Sequence, residues 1–480
     1  MSRLTFTRPV WVLHVFVVGL AVHNVVAAEL FAAGVHGVPL DLLSAWKEIL
    51  LALAVLGLLR AGAFRRRLDL IDGLALTYAA FVLIYAVIPQ STLAGAATHK
   101  GVLYAVRHDL VPFGAYILGR GLALSRDELR RIGRTIVATA AGAAIFGLAD
   151  VFLVPLSWWR SSGAPGWFTH QLGFSYQGLS GLPENFIYNT GDEHPIRRLV
   201  STFLSPLAAS YLFAVALLAL AAWGLTRGVG RGRTRATFAV SAGVLCAAVL
   251  WSHARSTELA LAAALLLLAW LRRDTGRRAG ALAAIAIAFL AVSTGFAREY
   301  GQLGPRTSFT QVELDCQRAH AHGLSCTADH ATITKAASVA STGTQATAGF
   351  ESDASTASHW ASLRGGIETV FHHPQGYGLG NAGSTAARTG VKIEAGESSY
   401  TELGVEIGLG GGLVFAAWSL LLLVRVAGRT PWVGAMFFMV LLLGLQTDVI
   451  GVPWLGYVVW AVVGSSAVCA GAPRQAGTSL

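Results

Sequence analysis

LWSHARSTELALAAALLLLAW, residues 250–270, ends in twelve apolar residues without interruption, Leu259 to Trp270, and carries one arginine, Arg255, near its head. The run shows no apolar–polar alternation, so it does not read as a strand with one wet face. In lipid every backbone N–H and C=O must be paired within its own segment, which leaves a helix as the structure for such a run. The whole chain carries the same signal. Of its 480 residues 54% are hydrophobic and 13% charged, and the mean hydropathy is +0.57. A soluble domain carries roughly 25% charged residues, so the composition is that of an integral membrane protein.

Apolar stretches long enough to cross a bilayer recur about twelve times. They start near Val10, Trp46, Leu70, Val102, Ile132, Leu199, Ala236, Ser256, Ala279, Leu403, Trp432 and Pro453. The expected fold is an all-α polytopic membrane protein of about 12 transmembrane helices. The net charge of +10 does not imply nucleic acid, because the basic residues fall between apolar runs instead of forming one patch. The first apolar run is long and lacks a small-residue cleavage site, so it reads as a span and not as a removed signal peptide.

Arginine placement sets the orientation. With the N-terminus inside, the inner segments collect 22 of the 36 basic residues, among them Arg60, Arg65, Arg66, Arg67, Arg272, Arg273, Arg277 and Arg278. Every inner segment is then basic, which predicts N-in and C-in. The domain order that follows is membrane helices 1–9 over residues 1–297, a large extracytoplasmic loop over 298–398, and membrane helices 10–12 over 399–480. A second outer loop lies near 155–198 and contains PLSWWRSSGAPGWF (155–168). Loops of such length are usually functional. In the larger one, Cys316 and Cys326 form a close pair facing an oxidising compartment, so a disulfide is expected. Cys246 and Cys469 lie in apolar spans as packing residues. SHWASLRGGIETVFHHP (358–374) reads as an amphipathic helix with Trp360, Leu363, Ile367 and Val370 on one side.

Three arginines occupy outer boundaries, where the positive-inside trend disfavours them: Arg197 and Arg198 ahead of one span, and Arg255 between two others. Interfacial snorkelling is the plain account. The chemical alternative is an anion site, since a guanidinium fork binds phosphate oxygens in a bidentate way and stays charged.

At this point the residues resemble the bacterial O-antigen ligase and O-antigen polymerase superfamily of polytopic glycosyltransferases. RLVSTFLSPLAASYL (198–212) is similar to that family's arginine motif opening a membrane helix, and SHARSTELALAAALLL (252–267) to its Ser-Arg motif. WASLRGGIETVFHHPQGYGLGNAG (360–383) resembles its loop helix ending in a glycine-rich turn. ESSYTELGVEIGLGGGLVF (397–415) resembles the segment entering the next span. The resemblance covers the whole chain and implies a GT-C-like fold. It also implies a metal-independent, polyprenyl-pyrophosphate-dependent glycosyltransferase of the bacterial inner (cytoplasmic) membrane, with its site facing the periplasm and no cofactor. Where ligases of the family carry a His-Asn pair, this chain has Glu397 and Ser398, which is closer to the polymerase branch.

The implied donor is an undecaprenyl-pyrophosphate-linked oligosaccharide and the acceptor a glycan hydroxyl. A chain-length regulator or a flippase is the protein partner such an enzyme works with, beside the lipid bilayer itself. Arg198, Arg255 and Arg197 are the expected pyrophosphate ligands. His253, Trp360, Arg364 and Tyr400 are expected to bind substrate. SSYTE (398–402) fits a capping box with Ser399 as N-cap and Glu402 three residues on. That places Glu397 just outside a helix N-terminus, which favours an ionised carboxylate able to take the acceptor's proton; the plain account is a loop acid like Glu394. His320, His322, Cys326 and His330 are too irregularly spaced for a metal site. The alternative functions are an O-antigen ligase acting on a lipid A-core acceptor, and a polysaccharide transporter or flippase. Transporters show internal repeats and ionisable midplane residues; no halves repeat here, and Asp72, Asp109 and Asp448 read as interfacial.

The orientation is open to a direct test. A cysteine placed at Ser341 should react with a membrane-impermeant thiol reagent in intact spheroplasts. Labelling only after permeabilisation would reverse the assignment.

Overall fold

In a computed structural model, residues 8–64, 68–174, 182–183, 186–188, 196–228, 230, 232–303, 354–396 and 398–468 are described. Cys316, Cys326 and Glu397, with the three histidines near Cys326, lie outside them. The described chain is helical apart from one antiparallel pair of two-residue strands, β1 (Ile187–Tyr188) and β2 (Ile196–Arg197).

The helices in order are α1 (Trp11–Ala32), α2 (Val38–Ser44), α3 (Trp46–Arg60), α4 (Leu70–Val87), α5 (His99–Leu122) and α6 (Arg126–Leu153). After the strands come α7 (Pro206–Arg227), α8 (Arg233–Ser252), α9 (Arg255–Leu271) and α10 (Arg277–Leu303). Two helices, α11 (Ala354–His372) and α12 (Gly383–Thr389), belong to the long loop. They lead into α13 (Ser399–Glu406), α14 (Gly408–Arg429), α15 (Pro431–Leu443) and α16 (Trp460–Val468). Seven of these are long and apolar enough to cross a membrane, or eight if the bent pair α2 and α3 forms one span. The chain is thus a polytopic membrane protein by its helices, while a twelve-span count is not reached on that measure. Among the segments that fall short, α5 carries His99, Lys100, Arg107, His108 and Asp109, and α15 has only 13 residues.

Side chains sort as a bilayer requires. Leu53, Val87, Leu153, Leu413 and Val424 are 60–80% exposed, whereas several charged residues at helix ends are paired across the bundle. Asp72, which the sequence placed at an interface, stands in the first turn of α4 and is buried, its carboxylate taking the Arg120 guanidinium and the Tyr116 hydroxyl. Arg425 closes on Asp69, the N-cap of α4, tying α14 to the same end.

Several boundaries differ from the sequence reading. The span expected from Leu199 begins as a helix only at Pro206, where Ser205 caps it by accepting from the Ala208 N–H and proline takes the first helical position. The span expected from Leu403 is two helices, broken at Ile407 and Gly408, where Gly408 has φ +72°. Loop backbone replaces the pairing lost at that break. Val405 O accepts from the Tyr377 N–H at 2.7 Å, and Pro374 O from the Leu409 N–H at 2.8 Å. The turn that supplies these groups, PQGYGLG (374–380), has left-handed φ at Gly376, Gly378 and Gly380. At Gly380 a Cβ would also sit 2.8 Å from the Gly101 carbonyl carbon.

Helix α5 packs most closely on α16, and glycine makes that approach possible. A Cβ at Gly464 would lie 2.4 Å from the Tyr116 carbonyl oxygen. Because the obstacle is backbone, Gly464→Leu should cost at least the ~1–3 kcal/mol of ordinary overpacking and lower the thermal unfolding midpoint of the detergent-purified protein. Gly428→Leu, where nothing lies within 4 Å, should leave the midpoint unchanged. Equal midpoints for the two variants would refute close α5–α16 contact.

Candidate functional site

Arg198 follows β2 directly. Its N–H donates to Phe186 O at 3.0 Å, and the next residue, Leu199, donates to Trp251 O at 2.9 Å. The side chain is thereby laid across the end of α8. Nε donates to Ser252 O at 2.9 Å and Nη2 to His253 O at 3.3 Å. A helix C-terminus offers carbonyls without intrahelical partners and a partial negative charge, so a guanidinium suits it. His253 turns the chain at φ +48°, and α9 starts two residues later with Arg255. One turn further, Glu258 is 4% exposed, accepts from the Ser293 hydroxyl of α10, and feels the charges of both Arg255 and Arg198. The structure therefore brings Arg198 to the turn that carries His253 and Arg255, with Glu258 buried one turn further on.

Arg197 has a different partner from Arg198. It was expected to bind pyrophosphate alongside Arg198, but its Nη2 donates to Asp150 Oδ1 at 2.7 Å and its Nη1 to Val154 O. Asp150 is 2% exposed at the last turn of α6 and also takes the Trp159 indole N–H at 2.7 Å. A carboxylate buried to that degree requires a counter-charge, and the residue that opens toward it is Arg197.

A second group forms where α13 enters. Ser398, not Ser399, is the N-cap, and the expected capping box is not made. Tertiary partners take the hydroxyls instead. Ser398 Oγ donates to Gly444 O at 3.1 Å; Ser399 Oγ donates to Thr447 O at 3.2 Å and accepts from the Val449 N–H at 2.9 Å. Tyr400 donates to Leu441 O at 3.1 Å, so its hydroxyl anchors α15. Glu402 is buried against Gly383, where a Cβ would be 2.3 Å from its carboxylate oxygen. Glu397 immediately precedes this stapled segment.

The segment 444–449 is fixed in turn by a histidine that sequence reasoning missed. His108 of α5 meets Asp109 Oδ1 through Nδ1 at 2.7 Å and Asp448 Oδ2 through Nε2 at 2.9 Å. Asp109 is fully buried and Glu406 is 3% exposed, the latter accepting from the Gly380 N–H at 2.9 Å. Burial alone would raise the Asp448 carboxyl, but the facing His108 and the Gly451 and Ile450 N–H groups outweigh it and hold Asp448 below the usual carboxylate range. Tyr211 of α7 is buried, and its hydroxyl makes no hydrogen bond among the described residues, though the charges of Asp448 and Arg198 both reach it. The one sequence signal for this cluster was the HD pair at 108–109 inside an apolar helix, since intramembrane ionisable residues are costly and mark function.

The loop helix departs from its expected face. Val370 and Gly366 are buried, with Gly366 against Thr401, while Trp360 and Ile367 are 69% and 44% exposed. Arg364 is exposed as well and pairs with Glu368 at 2.9 Å. Neither Trp360 nor Arg364 joins the two groups above. Among the described residues no three His, Cys, Asp or Glu side chains are grouped as a metal site. No family model matches the chain, and no curated protein does.

Asp448 and Glu406 should respond differently to loss of charge. Asp448→Asn removes one of the two carboxylates that flank the part-buried His108, and losing a hydrogen bond to a charged group costs about 1.5–3 kcal/mol. Glu406→Gln keeps a carbonyl oxygen for the Gly380 N–H and should cost less than about 1.5 kcal/mol. Thermal unfolding in detergent ranks them; a larger loss for Glu406→Gln would mean that the His108 bridge is not what holds the segment.

Proposed function

We propose that the chain transfers a glycan from an undecaprenyl-pyrophosphate-linked donor to an acceptor sugar hydroxyl at the outer face of a bacterial inner membrane, as a polysaccharide polymerase. Twelve crossings with both termini inside belong to this reading. The observation that carries it is the contact of the Arg198 guanidinium with the Ser252 and His253 carbonyls, which brings it to the turn that bears Arg255. The order and content of the four sequence motifs support the same assignment.

In the reaction, Glu397 takes the proton of the acceptor hydroxyl as that oxygen attacks the anomeric carbon of the donor. The bond from that carbon to the pyrophosphate oxygen breaks, and the bonding pair leaves with the lipid pyrophosphate. Charge grows on the leaving group at that moment, and Arg255 with Arg198 stabilises it; a fixed donor aimed at developing charge is worth most where water is excluded. Ser398 and Ser399, the two residues that follow Glu397 in the sequence, are fixed by hydrogen bonds to Gly444 O and Thr447 O. Arg198 has a second task in capping α8, so Arg198→Ala would lose stability along with activity. Arg255 is the cleaner probe.

Turnover of a polyprenyl-pyrophosphate oligosaccharide by folded, purified variants tests this. Arg255→Ala should lower it by about 10²–10³, and Arg255→Lys should stay impaired because the bidentate fork is lost. Glu397→Gln should lower it by about 10²–10⁴ while donor binding survives. Wild-type turnover in Glu397→Gln would remove it as the base, and longer lipid-linked products distinguish polymerisation from transfer to a lipid A-type acceptor.

A further inference from the structure

Four cations from three separate stretches converge at the His99 end of α5, away from the Arg198 and Arg255 group. Lys100, Tyr104 and Arg107 recur at helical spacing on one face of α5. The Tyr104 ring takes Lys100 Nζ at 5.5 Å and the guanidinium of Arg388, on α12, at 4.8 Å. Arg107 Nε donates to Glu48 Oε1 at 2.6 Å, and the same oxygen lies 3.7 Å from Lys47 Nζ. Lys47 is 5% exposed, donates to Ser44 O at 2.7 Å, and feels the charges of both Arg107 and Arg388.

The charges do not balance. Among the described residues, Glu48 is the one carboxylate within ion-pair distance of any of the four. Asp41, whose charge also reaches Arg388, is engaged by Gln171 Nε2 at 2.8 Å. Arg388 donates from Nε to Leu172 O at 2.9 Å, and its two Nη groups have no hydrogen bond among the described residues. Like charges gathered against a buried ammonium are unfavourable without a counter-ion. An open guanidinium fork beside them is the arrangement that binds an oxyanion through two parallel hydrogen bonds.

We infer that Lys47, Arg107, Arg388 and Lys100 form a phosphate-binding site, distinct from the Arg198 and Arg255 group and independent of the glycosyl-transfer reading. The phosphate is carried either on a phospholipid headgroup or on a water-exposed ligand such as a sugar phosphate, and the fork of Arg388 grips it while Lys47 closes the far end of the row.

The test uses the full chain in uncharged detergent, with Arg255→Ala as background so that the other arginine group does not contribute. Inorganic phosphate should raise the unfolding midpoint in a saturable way. Arg388→Ala should weaken the apparent Kd by about 10- to 100-fold, the loss expected for hydrogen bonds to a charged group. Arg388→Gln, which keeps a donor for Leu172 O, should do the same and serves if the alanine variant fails to fold. In nanodiscs, an Arg388-dependent rise with phosphatidylglycerol over phosphatidylcholine, competing with phosphate, assigns a lipid headgroup. A response to phosphate alone assigns the water-exposed ligand. If both substitutions leave the phosphate and phosphatidylglycerol responses of folded protein unchanged, the site does not exist.

Discussion

A helix that stops inside an apolar surround must hand its unpaired backbone groups to something else, and the break between α13 and α14 is where this protein meets that requirement. Ile407 and Gly408 leave the helix, and the glycine-rich turn 374–380 comes in to pair Val405 and Leu409. Without the break, α13 would continue the line of α14. With it, α13 is an independent short helix whose N-terminal serines reach the 444–449 segment and whose last residue, Glu406, meets the Gly380 N–H. The turn can lie this close because its alternating glycines adopt left-handed φ and carry no Cβ to strike Gln90, Gly101 or the 405–408 backbone.

The His108 bridge depends on that arrangement. A histidine with a carboxylate at each ring nitrogen joins α5 to the segment after α15, and that segment in turn receives the serines of α13. Parts of the chain up to 340 residues apart are thus held by polar contacts. Polar contacts of this kind are strong because little water competes for them, and each is costly to leave half made. The Arg198 contact with the carbonyls at the end of α8 obeys the same rule.

Much of this was legible in the residues, and where it was not the cause is specific. Continuous apolar runs located the helices to within a turn or two, because burial of a helix in lipid depends on composition more than on neighbours. The start of α7 was written as Ser205-Pro206 and needed only a stricter reading of cap residues. The capping box at 398–402 was a sound local pattern that lost to tertiary hydrogen bonds, since the same hydroxyls had partners across the fold. The face of α11 was misassigned because Trp360 and Val370 are equally apolar, and only the position of Thr401 decides which of them is covered.

By itself the sequence determined that this is a helical membrane protein, that three arginines stand at the edges of apolar runs, and that Glu397 precedes a helix. Those are properties of composition and local order. Only the tertiary structure decided that Arg197 serves Asp150 while Arg198 serves the turn of Arg255, because adjacent residues leaving a strand point to opposite sides. It also decided that His108, Asp448 and Glu406 belong to one cluster. No spacing rule links positions 108, 406 and 448, and an unpaired charge in an apolar interior finds its partner by three-dimensional proximity alone.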